Sequence, residues 1–133
     1  MANKSSHISQ WKHNREFLKT VSPPYHDWVV TAAFYTALHA IDTLLAHDKV
    51  NVTNHEGRNL ALSHTNRYEH INQIYQPLYG LARTVRYFAN PAKWVPADQI
   101  QKNVIVRYLY PIEKSVQKLI GEDLHLGDVE IKQ

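Results

Sequence analysis

The stretch HDWVVTAAFYTALHAIDTLLAH, residues 26–47, decides the fold. Its apolar side chains recur at helical spacing and cover more than half of a helix's circumference, which is typical of a helix surrounded by others. They are Val30, Ala33, Phe34, Ala37, Leu38, Ile41, Leu44 and Leu45. Polar residues such as Thr36, His39 and Asp42 interrupt the stretch, so it indicates a buried helix and not a membrane span. We therefore predict that it forms the central helix of a bundle.

The rest of the chain shows the same helical periodicity, and no linker or repeat divides it. The predicted helices are Ser6–Val21, His26–His47, His55–His64, Tyr68–Tyr87 and Ala97–Ile120. A short stretch, Val129–Ile131, is the one strand pattern. We predict an all-α fold, an antiparallel bundle of four to five helices, with residues 1–133 forming a single domain.

Capping residues and prolines place the predicted helix ends. Proline and glycine inside a helical pattern predict kinks or splits, and glycine after the last turn predicts a cap. The predicted caps lie at Ser5 or Ser6, at a Thr53–Glu56 capping box and at Gly121, and the predicted breaks lie at Pro23, Pro24, Pro77, Gly80 and Pro111. Asn90-Pro91 and Val95-Pro96 bracket a predicted exposed loop.

Composition excludes several classes of chemistry. The 133 residues contain no cysteine, which removes disulfides, thiolate nucleophiles, zinc–cysteine sites and iron–sulfur clusters. The formal net charge is +3, with cations in excess between Arg83 and Arg107. Such a patch can meet phosphates or can simply be a solvated face. The first residues lack an apolar signal segment, so we expect a cytoplasmic protein with no membrane partner.

The nine histidines are the most unusual feature of the composition. No two of them are three or four residues apart, which is the spacing that places two metal ligands on one helix face. His39 with Asp42, and Glu122 with His125, do have that spacing, but a bundle site needs several such pairs on facing helices. We therefore predict no metal and no cofactor.

A polar group at the start of the third predicted helix offers phosphate chemistry. His55 and Arg58 lie three residues apart, near a helix end whose amides and dipole favour anions. Arginine binds phosphate through two hydrogen bonds, and histidine transfers protons near neutral pH. These are the groups that metal-free cleavage of an RNA phosphodiester requires. The alternative is that the same residues cap the helix or bond a carbonyl.

Residues 25–88 resemble the HEPN domain. The residues that carry the resemblance are YHDW at 25–28, TAAFYTALH at 31–39, IDTLL at 41–45, NHEGRN at 54–59 and LARTVRY at 81–87. The resemblance implies a four- to five-helix bundle that forms a homodimer. Many HEPN proteins are metal-independent ribonucleases of toxin–antitoxin or defence systems, which implies a cognate antitoxin or defence-system protein as a partner. Others bind nucleotides or are inactive.

The resemblance also implies a catalytic motif. The family's signature is an arginine, commonly followed by a polar residue, and then a histidine, with four to six residues between the arginine and the histidine. Arg58, Asn59 and His64 match it, which implies that Arg58 stabilises the phosphate, Asn59 orients and His64 is the acid or base. Six residues of regular helix rotate by about 600°. Arg58 and His64 would therefore converge only if the helix ends or bends before His64.

A second candidate site uses the polar face of the central helix. There a pocket with arginines and aromatic walls would suit an RNA base or a nucleotide. Its predicted binding residues are Tyr35, His39, His55, Arg83 and Arg86, with Asp42 and Arg58 beside them. Alternatively, this face meets solvent or forms a dimer contact anchored by Tyr35. We predict an RNA- or nucleotide-directed protein with metal-independent endoribonuclease activity; the alternative is a non-catalytic dimer that binds a protein or a nucleotide.

Overall fold

A computed structural model describes residues 3–21, 25–87 and 96–131. The helices are α1 (Lys4–Leu18), α2 (His26–His47), α3 (His55–Ser63), α4 (Glu69–Tyr87) and α5 (Tyr110–Ile120). A short 3-10 turn, Asn66–Tyr68, precedes α4. A second 3-10 turn, Ala97–Gln99, precedes a π-helical segment, Gln101–Leu109, that leads into α5. No strand occurs within these described ranges. The predicted all-α fold is confirmed.

The predicted central helix is confirmed, with its bounds at His26–His47. α2 packs against α1, α4, α5 and the π-helical segment, which buries every apolar residue predicted to face the core. Asp27–His47 is long and apolar enough to cross a membrane, but 72% of its most apolar window is buried among the other helices. This burial is typical of the core helix of a bundle.

Asparagine caps both helices whose starts were predicted from serine or threonine. The Asn3 side chain accepts a hydrogen bond from the backbone nitrogen of Ser6 at 2.8 Å, and that of Asn54 accepts one from Gly57 at 2.7 Å. The predicted Ser5 or Ser6 cap and the Thr53–Glu56 capping box are therefore wrong. Asparagine is as good a cap as serine, and in both places it lies close to the predicted residue in the sequence.

The prolines affect the helices unequally. α4 continues through Pro77 and Gly80 without a split, since both residues lie on its exposed side. Pro111 lies in the first turn of α5, where the predicted last helix changes from π-helical to α-helical geometry. The backbone of Leu109 and Tyr110 stays helical at this junction, so the helix is not split there. Gly121 caps α5 with a left-handed φ of 71°, as predicted. The predicted breaks at Pro23 and Pro24 lie outside the described residues, and α1 already ends at Leu18.

A side-chain amide holds the end of the chain. Gln101 donates to the Val129 carbonyl at 2.8 Å and accepts from the Ile131 backbone nitrogen at 2.8 Å. Both tail residues are buried. The strand pattern at Val129–Ile131 forms no strand, and a glutamine side chain bonds its backbone where a neighbouring strand would. Most of the predicted loop between Asn90 and Pro96 lies outside the described residues.

A buried ion pair joins α1 to α5. Both carboxylate oxygens of Glu113 lie 2.5 Å from an Arg15 guanidinium nitrogen, and Trp11 donates to the same carboxylate at 2.7 Å. Arg15 also donates to the carbonyls of Leu126 and Gly127. This cluster therefore fixes α1, α5 and the tail together, at a distance from the predicted functional residues on α3.

Candidate functional site

A buried ion pair between α2 and α3 lies at the base of the candidate site. Arg58 Nε donates to Asp42 Oδ1 at 2.7 Å, and Arg58 Nη2 donates to Oδ2 at 2.9 Å. The exposed fractions of Arg58 and Asp42 are 6% and 4%. Burial lowers the pKa of Arg58, but the hydrogen bonds and charge of Asp42 raise it overall. The guanidinium is thus ionised and committed to Asp42.

The remaining Arg58 nitrogen orients His55. Arg58 Nη1 lies 3.2 Å from His55 Nδ1. Arginine can only donate, so Nδ1 is the acceptor and the neutral ring carries its proton on Nε2. Burial, and then the charges of Arg58 and Arg86, lower the pKa of His55, while Asp42 opposes them. His55 therefore offers an N–H donor at neutral pH.

Arginines and aromatic rings form a surface beside His55. Arg86 Nη1 donates to the Tyr35 hydroxyl at 2.7 Å. Its guanidinium carbon lies 5.3 to 5.4 Å from the ring centres of Phe34, Tyr35 and Tyr87. Arg83 lies 5.8 Å from the ring centre of Tyr79, and the His55 ring meets Tyr79 edge-on at 5.6 Å. We call this surface the arginine–tyrosine surface; it comprises Tyr35, His55, Tyr79, Arg83, Arg86 and Tyr87.

His39 contacts His7, a residue that the sequence analysis does not place beside it. Its Nδ1 lies 3.1 Å from Nδ1 of His7, which comes from α1. Burial lowers the pKa of His39, as do the charges of His7 and Arg58, against the effect of Asp42. His39 also lines a groove of about 420 Å³ between α1 and α2, where Phe17 and Trp28 are exposed. Sequence spacing could not reveal His7, because it lies on another helix.

The three predicted catalytic residues occupy different surroundings. α3 ends at Ser63, just before His64, as the rotation argument requires. Arg58 nevertheless enters the core, whereas His64 is exposed at the end of the helix. Asn59 accepts a hydrogen bond from Gln76 of α4 at 3.3 Å. One chain thus does not bring Arg58 and His64 together.

The second predicted grouping is brought together in large part. Asp42 meets Arg58, and Tyr35 meets Arg86, as that prediction requires. The molecule is an all-α bundle. Its candidate site consists of the arginine–tyrosine surface and the buried ion pair between Arg58 and Asp42. A scan of protein-family models and searches of curated proteins and of solved structures found no match to this chain. The function is therefore inferred from these residues.

Proposed function

We propose that this chain is a HEPN-like helical bundle that binds RNA or a nucleotide at the arginine–tyrosine surface. The observation that carries the proposal is the placement of Arg86 against three aromatic rings, with Arg83 stacked on a fourth. A stacked guanidinium keeps its N–H groups in a fixed plane, which suits the oxygens of a phosphate. Beside it the Tyr87 ring is exposed and the Tyr35 and Tyr79 rings are half-buried, and such rings suit the faces of nucleobases.

The charge balance of this surface favours an anionic ligand. Within the described ranges, no carboxylate pairs with Arg83 or Arg86, whereas Arg15, Arg58 and Arg67 each pair with one. The buried Nε of Arg86 has no hydrogen-bond partner there. The neutral His55 adds an N–H donor. A phosphate would supply acceptors for all three side chains.

Binding is better supported than cleavage. The family motif requires Arg58 to contact phosphate, but that guanidinium is bound to Asp42 and His55. An endoribonuclease would need an acid–base pair assembled with a second protomer, which the expected homodimer would supply.

Cleavage of a labelled RNA pool in EDTA, by the wild type and by His64→Ala, tests this activity. Cutting that the variant loses would establish a ribonuclease, and equal cutting would exclude His64 as its acid or base.

Fluorescence anisotropy with a labelled single-stranded RNA and with labelled ATP tests the binding proposal. We expect Arg83→Ala to weaken binding about tenfold, because it removes a charge-assisted hydrogen bond. Arg107→Ala is the matched control, since Arg107 also stacks on a tyrosine, Tyr108, at 5.3 Å and carries the same charge. We expect the control to change affinity by less than about twofold. Equal losses in the two variants, or no binding by the wild type, would overturn the proposal.

A further inference from the structure

Three potential metal ligands meet beneath the groove between α1 and α2. They are His7 from α1 and His39 and Asp42 from α2, and one ligand atom of each lies within 4.8 Å of the others. His39 and Asp42 are three residues apart, which places them on one helix face. His7 completes the set from the neighbouring helix, which supplies the facing ligand that the sequence did not reveal.

The spacing of the two imidazoles suits a shared cation. His7 Nδ1 and His39 Nδ1 are 3.1 Å apart. Two nitrogens bound to one tetrahedral zinc ion at about 2.0–2.1 Å lie roughly 3.3 Å from each other. The site thus needs only a small adjustment to accept an ion between these two atoms.

Burial is the second feature of the site. His7 is 8% exposed, and its Nε2 is buried without a hydrogen-bond partner in the described part of the chain. Because Nδ1 is the proposed ligand atom, a bound Zn²⁺ would hold the ring proton on Nε2 and leave that N–H without a protein partner. Arg58 donates to both oxygens of the Asp42 carboxylate, as outer partners of ligating carboxylates do.

The site also has an entrance. His39 is half-buried and lines the groove of about 420 Å³ beside Gln10 and Asn14. His39 is the one ligand of the three that lines this groove, so an ion at the site would meet water from the side of His39. Two histidines and one carboxylate with an open position are a ligand set that Zn²⁺ accepts.

We propose that His7, His39 and Asp42 form a binding site for one Zn²⁺ ion. The site is separate from the arginine–tyrosine surface, so the failure of either proposal leaves the other standing. The alternative is a plain hydrogen bond between two neutral imidazoles. Zinc titration distinguishes the two.

Competition with a chromophoric chelator, on metal-stripped protein, measures the zinc stoichiometry and affinity. We expect one tight equivalent, and a loss of at least roughly 100-fold in affinity for His39→Ala and for His7→Ala, because each removes a ligand. His64→Ala and His125→Ala are controls, since both histidines are exposed, and we expect them to keep the tight equivalent. No tight equivalent in the wild type, or its retention in the double variant His7→Ala/His39→Ala, would overturn the proposal.

NMR of the wild-type histidine rings needs no variant to fold. We expect one equivalent of Zn²⁺ to shift the Nδ1 resonances of two rings, assigned to His7 and His39, and to leave those of His64 and His125 in place. Shifts confined to exposed histidines would mean adventitious surface binding and would contradict the site.

Discussion

Arg58 and Asp42 make two parallel hydrogen bonds across the α2–α3 boundary, at 2.7 and 2.9 Å, in a setting where both side chains are almost fully buried. The sequence motif suggests an exposed Arg58 that contacts phosphate at little cost to folding. The structure corrects that expectation, because Arg58 joins two helices and orients His55. Arg58 is a positioning residue for the surface above it.

Arg58→Ala tests this role through stability. Removing one partner leaves the Asp42 charge buried without compensation, so we expect the free energy of unfolding to fall by about 3–5 kcal/mol. Urea denaturation measures the loss. The double variant Arg58→Met/Asp42→Leu removes both charges and should recover most of it. A loss below about 1 kcal/mol for Arg58→Ala would show that the pair is not buried in solution.

The protonation of His55 is open to direct measurement. Its folded pKa is lowered from 6.5 by burial and by the positive charges of Arg58 and Arg86, with Asp42 opposing. A histidine whose pKa falls on folding stabilises the folded state least in acid, so its contribution is present above about pH 6.5 and is lost as the pH falls below that value. NMR titration of the His55 ring should give a midpoint below 6.5. We expect Arg86→Ala to raise the midpoint. An unchanged midpoint would show that the charge of Arg86 does not act on His55.

We also expect folding stability to fall in acid because of Asp48, the residue that follows α2. Burial raises the pKa of Asp48, but hydrogen bonds from Arg67 at 2.8 Å and from Tyr68 lower it overall. Its contribution is therefore present above about pH 3.8, the unfolded value, and is lost as the pH falls through the lower folded value. Unfolding at pH 6 and at pH 3 should show a smaller acid loss for Asp48→Asn than for the wild type. Equal losses would contradict the pairing.

The fold followed from local pattern, whereas the contacts of the site did not. The apolar run of α2 and the glycine cap at Gly121 depend on neighbouring residues, so periodicity predicted both. The partnership of Arg58 with Asp42 and that of His7 with His39 join residues on different helices, and their geometry depends on how those helices pack. Burial is equally non-local. Arg58 looked like an exposed ligand because the carboxylate that binds it, Asp42, lies on another helix.

Photo-crosslinking tests the central claim, binding at the arginine–tyrosine surface, most directly. The probes are a single-stranded RNA containing 4-thiouridine and 8-azido-ATP, with mass spectrometry to locate the adducts and unlabelled ligand as competitor. The account predicts competed crosslinks in α2 and α4, at or beside Tyr35, Tyr79 and Tyr87. Competed crosslinks confined to Tyr108 or Tyr110, or no competed crosslink with either probe, would contradict it.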